Sequence, residues 1–153
     1  MIFLLGIWRC HADYQIFMIE SVNREFKRNP KAIAHFEDAV LKMYFLNLDC
    51  VRDDFEPLFS STGKPSNQQP EIFRSFVLMN HFKYHQLEKW ISFAKSSVIL
   101  SALIGVLPDN LPGESTHRDF YSRLWQSDSS VNSCFHSPET KPSKKYGNNK
   151  VPP

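Results

Sequence analysis

Apolar residues along the middle of the chain recur at intervals of three and four, which is the spacing of one buried helix face. After a break at Asn29-Pro30, the periodic apolar positions are Ile33, Phe36, Val40, Met43 and Tyr44. A later segment, which begins around Pro70, is apolar over most of its circumference, so we expect it to be the central helix. A third segment repeats the spacing at Leu87, Trp90, Ile91 and Ala94. This patterning predicts a small all-α domain of five or six helices.

Turn and capping residues set the expected ends of these helices. Ser66 or Asn67 can cap the central helix, with Pro70 in its first turn. The turn from Lys83 to His85 follows that helix, and the order helix, tight turn, helix is compatible with a helix-turn-helix. Gly105 ends a short apolar run and is expected to be its C-terminal cap.

The last helix is predicted to start after a loop at Pro112-Gly113. Thr116 and Asp119 have the spacing of a capping box, in which the hydroxyl and the carboxylate bond free backbone donors. Its large apolar residues fall on one stripe, so we expect them in the core rather than stacked on bases. They are Phe120, Tyr121, Leu124 and Trp125.

Length and composition favour one core and an unstructured end. The chain has 153 residues, which suits one domain. We expect an N-terminal segment at 1–28 with one helix from Tyr14 to Phe26, a helical domain at 29–127, and a disordered basic tail at 128–153. The tail is rich in Pro, Ser and Lys and has too few apolar residues to order itself.

Charge and cysteine content give only weak evidence on the class of partner and on the cellular compartment. The net charge is +2, and residues 128–153 account for all of it, with four lysines against two acidic residues. Charge alone is therefore a weak argument for a nucleic-acid partner. Three widely spaced cysteines predict neither a disulfide framework nor a zinc ribbon, so a reducing cytoplasm is expected. The apolar start, Met1 to Trp8, lacks the flanks of a signal peptide and is too short to span a bilayer.

Several segments occur in an order that carries a family resemblance. They are residues 57–66 (PLFSSTGKPS), 73–79 (FRSFVLM), Lys89-Trp90, Leu103-Ile104-Gly105 and 112–125 (PGESTHRDFYSRLW). With these segments, from about residue 29 to residue 125, the chain resembles the N-terminal domain of DDE-type insertion-sequence transposases. The family usually has Tyr or Phe near His117 and Arg118, so this chain departs from the pattern there.

The resemblance implies a function in DNA transposition. In such transposases the helical domain helps to recognise the terminal inverted repeats, and a later RNase H-like domain carries three metal-binding carboxylates. Residues 144–153 look like the linker before that catalytic domain. The resemblance therefore implies a truncated transposase whose partner is double-stranded DNA, with no catalytic activity, metal or cofactor of its own.

Basic residues within the resembling region are the candidates for DNA contact, because Lys and Arg neutralise phosphates and Arg can read guanine edges. From the residues alone, the preferred interpretation is that they form the polar faces of amphipathic helices, since acidic and basic residues balance in this region. The candidates are Lys64, Arg74, Lys83, Lys89, Lys95, Arg118 and Arg123.

Three other clusters contain residue types that could carry chemistry. Acidic residues between 49 and 56 are expected to form a solvated loop, since no strand fixes them for two-metal catalysis. His81 and His85 are spaced for one helix face, as zinc ligands can be, but no third ligand is evident. Cys134 and His136 fall in the predicted tail, where no held base would activate a nucleophile.

Two other functions are compatible with the same sequence. The helical domain could be an interaction module that self-associates or regulates a full-length transposase through an exposed apolar surface. The chain could also be a non-functional remnant of a decayed insertion element, with a core face left exposed by the loss of a neighbouring domain.

Overall fold

The fold consists of α-helices that pack around a short, buried helix of seven residues. The computed structural model describes residues 8–55 and 68–132, with side chains up to Trp125. The helices are α1 (His11–Arg28), α2 (Pro30–Ala34), α3 (Glu37–Phe45), α4 (Arg52–Phe55), α5 (Gln69–His81), α6 (Leu87–Ser96), α7 (Val98–Ile104) and α8 (Glu114–Asn132). Single 3-10 turns lie at Asp49–Val51 and Pro108–Asn110. No β-strand occurs in these residues, so the all-α prediction is confirmed.

The described residues contain eight α-helices where the sequence predicted five or six in the whole chain. The helix expected from Lys31 is divided, because Phe36 leaves the helical conformation with φ −112° and ψ 4°. The acidic segment after Leu48 forms the 3-10 turn and α4 instead of an extended loop. Both extra elements are only one or two turns long, which apolar periodicity cannot resolve.

The first helix is part of the main core. Tyr14, Met18 and Val22 on α1 are buried in the same cluster as Leu78 of α5 and Trp90 of α6. The helix predicted from Tyr14 to Phe26 is therefore present, and it extends to His11 and Arg28. Its N-terminus is held by Asp49, whose carboxylate accepts the His11 backbone N–H at 3.0 Å. A negative charge at the N-terminus of a helix also interacts favourably with the positive end of the helix dipole.

The short helix α7 lies at the centre of the fold, against α1, α5 and α6. All of its residues except Val98 are buried. The Ser97 side chain caps its start by accepting from the Leu100 N–H, and Gly105 caps its end with φ 105°. The predicted cap at Gly105 is therefore confirmed, in the left-handed region that glycine adopts at little cost.

The last helix differs from its prediction in two respects. It begins at Glu114, with the Gly113 carbonyl accepting the His117 N–H at 3.2 Å. The capping box is therefore wrong, because Thr116 already lies inside the first turn. Phe120 is buried, but Tyr121 and Trp125 are 50% and 54% exposed, since they lie about 100° farther round the helix than Phe120 and Leu124.

Some predictions lie outside the described residues. The cap at Ser66 or Asn67 is one, and the tail from 133 to 153 is another. The helix α8 continues through residues 128–132, which the sequence had assigned to that tail. No helix in the described part of the chain has both the length and the apolar character needed to cross a bilayer.

Candidate nucleic-acid interface

The pair α5 and α6 is joined by a tight turn where the sequence predicted one. Pro70 lies in the first turn of α5, as expected, and the helix ends at His81. The chain then reverses through Lys83, which has a left-handed φ of 58°. Backbone bonds close the turn, including Tyr84 N–H to Met79 O at 3.0 Å. Helix, tight turn and helix thus follow one another in the expected order.

A buried hydrogen-bond network fixes α6 to α5 and α8. The Trp90 indole N–H donates to the Ser75 hydroxyl oxygen at 2.9 Å. His117 approaches the same hydroxyl with Nε2 at 2.8 Å, and its Nδ1 lies 2.8 Å from the Gly113 carbonyl oxygen. A carbonyl only accepts, so Nδ1 carries the proton and Nε2 accepts from the Ser75 O–H. Every polar atom of the three side chains is then paired.

This network holds His117 in its neutral form. Burial lowers the pKa of the His117 imidazole, and the bond to the Gly113 carbonyl opposes part of that change. The spacing of Ser75 and His117 is that of a nucleophile and its base. However, both side chains are almost fully buried, with 1% and 0% exposure, and the serine oxygen already accepts the indole N–H of Trp90. The arrangement therefore positions helices and offers no surface to a substrate.

Three of the DNA candidates that the structure describes are exposed lysines in the turn and on α6. Lys83, Lys89 and Lys95 are all exposed. No ion pair links any of them to a carboxylate in the described residues. Their ammonium groups are therefore available to an anionic partner.

The arginines of α8 lie at the surface but have acidic partners one turn earlier. Arg118 is paired with Glu114, and Arg123 Nε lies 3.0 Å from Asp119 Oδ2. Such pairs at i and i+4 are common on solvated helix faces. A phosphate would have to compete with these carboxylates, so the two arginines are weaker candidates than the lysines.

Arg74 is not a surface residue. Its side chain is 1% exposed, and its guanidinium carbon lies 3.6 Å from the centroid of the Tyr14 ring. Burial lowers the pKa of Arg74, and Tyr14 and Glu71 oppose that shift. The expectation that Arg74 contacts DNA is therefore not supported by its position. Exposure of Arg74 was predicted because a charged residue on an otherwise apolar helix is normally solvated.

The buried polar cluster around Arg74 is only partly satisfied. Burial raises the pKa of the Glu71 carboxyl, which is 6% exposed. Within the described residues, Glu71 Oε2 and Arg74 Nε and Nη1 lack a hydrogen-bond partner. Glu71 and Arg9 also line a cavity of about 420 Å³. This cavity has room for ordered water. Neighbouring charges of opposite sign and such water would offset the cost of burial.

The outer surface of α6 is a narrow polar arc. At about 100° per residue, Ser92 lies at its centre and Lys89 and Lys95 lie about 60° to either side. Glu88 and Ser96 fall between them, and all five residues are exposed. The opposite face buries Trp90, Ile91 and Ala94. The helix therefore presents a small polar centre flanked by two cations, with one carboxylate in the same arc.

The other sequence candidates do not form sites. Because α5 ends at His81, His85 lies beyond the helix and the two do not share a helix face. His81 Nδ1 lies 2.9 Å from the Lys42 ammonium. Partial burial lowers the pKa of the His81 imidazole, and the positive charge of Lys42 lowers it further. Asp49 caps α1, whereas Asp53 and Asp54 are exposed on α4. Within the described residues, no three potential ligands from His, Cys, Asp and Glu are grouped for a metal ion.

Two of the candidates fall outside what can be placed. Lys64 lies beyond the described residues, as do Cys134 and His136. Conversely, sequence reasoning missed the shared role of Ser75, Trp90 and His117. The available signal was that each stands inside a different resembling segment.

Comparison with known proteins found no matching family model, no matching curated protein and no matching solved structure. The family resemblance therefore rests on the sequence segments alone.

Proposed function

We propose that this chain is the DNA-binding part of a DDE-type insertion-sequence transposase, and that α6 is the helix it presents to DNA. The observation that carries the choice of α6 is its exposed arc, with Lys89 and Lys95 at the edges and no ion-pair partner for either among the described residues. Lys83 adds a third cation in the turn just before the helix.

The arc suits a helix that enters the major groove. Long lysine side chains at its edges can reach phosphates on both sides, and those contacts would set the orientation of the protein. The Ser92 hydroxyl at the centre can donate to or accept from base edges. The Ser96 hydroxyl donates to the Phe93 carbonyl oxygen at 2.6 Å, so its oxygen can only accept from them. Glu88 would repel phosphates but can accept from a cytosine amino group, so it favours one register over others.

The resembling segments supply the support behind that helix. Ser75, Trp90 and His117 come from three of them and meet in one buried network. Such a network resists rotation of α6, since turning it would leave the indole N–H without its acceptor. This supports reading the segments together as one scaffold for a presented helix.

The first test is binding of a fluorescently labelled DNA duplex, measured by anisotropy across a salt series. The Lys89→Gln/Lys95→Gln variant removes two positive charges from α6, and the Arg118→Gln/Arg123→Gln variant removes two from α8. If the α6 variant loses two phosphate contacts, the negative slope of log K against log salt should become less steep by about two. The α8 variant should change this slope far less. A folded wild-type chain with no salt-dependent binding would overturn the proposal.

The second test concerns recognition of inverted repeats. The purified chain would select from duplexes with a randomised core, followed by sequencing of the retained pool. Enrichment of one sequence that the α6 variant no longer enriches supports specific recognition. Binding without enrichment would restrict the role to nonspecific phosphate contact and contradict the inverted-repeat assignment.

A further inference from the structure

Lys42 of α3 and His81 at the end of α5 form a hydrogen-bonded pair at the surface. The ammonium nitrogen lies 2.9 Å from His81 Nδ1. An ammonium group only donates, so Nδ1 accepts from it and the neutral ring carries its proton on Nε2. Partial burial and the positive charge of Lys42 lower the pKa of the His81 imidazole, and Asp38 opposes that change. The contact with Lys42 therefore selects both the neutral form and the tautomer of the ring.

This Lys42–His81 pair presents hydrogen-bond donors to the outside. The Nε2–H of His81 can donate to another acceptor, and the ammonium of Lys42 has two further N–H groups. Lys42 is exposed and His81 is partly exposed. In the part of the chain that the structure describes, no ion pair links Lys42 to a carboxylate. Since Nδ1 already accepts from a cation, the pair suits an anion rather than a metal ion.

Aromatic contacts place the pair beside the turn that leads into α6. The centroid of the His81 ring lies 4.9 Å from that of Phe82, which lies 6.1 Å from that of Phe93 on α6. Lys83, in the turn, comes two residues after His81. Phe93 follows Lys89 by four residues and so lies about 40° from it round the helix. The pair is therefore on the side of α6 that carries Lys89.

A duplex bound to α6 would also meet elements beside that helix. Phosphate and sugar groups take roughly half to two-thirds of the hydrogen bonds in protein–DNA complexes. In helix-turn-helix proteins, the helix outside the groove crosses the DNA backbone. The ends of α3 and α5 occupy such a position here, because they flank the turn before α6. Donors on this flank are thus placed to meet the strand that borders the groove.

We propose that Lys42 and His81 together bind one phosphate of the DNA backbone, on the strand next to the Lys89 edge of α6. This inference rests on the proposed function, since it takes α6 as the helix in the groove. Lys42 supplies a positive charge and His81 a neutral donor, so each can bond a different non-bridging oxygen of the phosphate. Because Lys42 belongs to α3, the contact would also limit rotation of α6 within the groove.

Duplex binding across a salt series at pH 8, where His81 is neutral, tests the pair. Lys42→Gln removes one charge, so the negative slope of log K against log salt should become less steep by about one. Lys31→Gln is the matched control, since Lys31 is an exposed lysine on the neighbouring α2, and it should leave the slope unchanged. His81→Phe keeps a ring beside Phe82 but removes the donor. It should weaken binding roughly threefold to tenfold with the slope unchanged.

The outcomes separate this inference from the proposed function. The Lys89→Gln/Lys95→Gln variant reports on α6 in the same assay, and circular dichroism checks that each variant is folded. A changed slope in that variant, with wild-type slopes in Lys42→Gln or wild-type affinity in His81→Phe, would overturn the pair alone. A changed slope only in Lys42→Gln would overturn the choice of α6. A folded wild type that binds no duplex would overturn both.

The imidazole resonances give a direct readout of the contact. A long-range ¹H–¹⁵N spectrum of the free chain at pH 8 should show His81 protonated on Nε2, and addition of duplex should shift that Nε2 resonance. His35 is the control, because it is exposed on the chain between α2 and α3 and has no part in the pair. A His81 ring protonated on Nδ1, or an Nε2 resonance that saturating duplex leaves unchanged, would overturn the proposal.

Discussion

Arg74 stacks on Tyr14 inside the core, with the guanidinium carbon 3.6 Å from the ring centroid. The contact joins α5 to α1, and Gly105 lies against both side chains: a β-carbon built there would lie 3.3 Å from Arg74 Nη1 and from Tyr14 Cδ2. Arg74, which the sequence analysis predicted to contact DNA, is therefore a residue of the core that stabilises the fold.

The position of Arg74 predicts a structural effect of its removal. We expect Arg74→Ala to destabilise the chain by about 2–5 kcal/mol, because it removes the guanidinium that stacks on Tyr14 and opens a cavity in the core. Lys89→Ala, on the exposed arc of α6, should change stability by less than about 0.5 kcal/mol. Urea unfolding followed by circular dichroism gives both values. Similar small losses for the two variants would show that Arg74 is not buried as described.

A side chain at position 105 is predicted to destabilise the fold. Gly105→Ala should cost about 1–3 kcal/mol, because the left-handed φ of 105° is strained for alanine and the new methyl group meets Arg74 and Tyr14. Gly113→Ala is the control, since nothing lies within 4 Å of a β-carbon there. Its cost should be about 0.5 kcal/mol, from the capping preference alone. Equal losses in thermal or urea unfolding would contradict this account of Gly105.

The His117 network predicts a dependence of stability on pH. The folded state lowers the pKa of His117, so it favours the neutral ring. The stabilisation is fully present above the unfolded pKa of about 6.5 and is lost as the pH falls from there through the folded pKa. Unfolding free energies measured from pH 8 to pH 5 should therefore decrease.

The contribution of His117 can be separated by substitution. In His117→Gln the decrease in unfolding free energy toward pH 5 should be smaller, while His35→Gln, at an exposed position, should keep the wild-type profile. An unchanged profile in His117→Gln would assign the pH dependence to other groups, with His81 as the next one to replace.

Lys83 predicts effects of opposite sign on stability and DNA binding. Its left-handed φ of 58° costs a non-glycine residue roughly 1–2 kcal/mol, so Lys83→Gly should stabilise the fold by up to about that amount. Lys89→Gly, inside α6, should instead destabilise it by about 1 kcal/mol. Both variants should bind duplex less tightly than the wild type. Destabilisation by Lys83→Gly would contradict the turn conformation.

Sequence patterning predicted the parts of the fold that depend on local physics. The apolar faces of α3, α5 and α6, the proline start of α5 and the glycine end of α7 each follow from neighbours within one or two turns. The network that joins Ser75, Trp90 and His117 could not be predicted in the same way, because the three residues are far apart in the chain.

The remaining features depend on contacts between distant residues. Arg74 is buried because Tyr14, sixty positions earlier, provides a ring for its guanidinium. Asp49 caps α1 across 38 positions, so its carboxylate looked like a loop residue. Two of the four apolar residues on the α8 stripe remain half exposed because the core reaches only one side of it. No local spacing contains this information.

The most direct test of the central proposal is a titration of the ¹⁵N-labelled chain with a DNA duplex, followed by two-dimensional NMR. We expect the largest amide shift changes between Lys83 and Ser96, in the turn and along α6, and we expect them to diminish with added salt. Shift changes confined to other helices, or none at all at low salt, would contradict the assignment of α6 as the DNA-contacting helix.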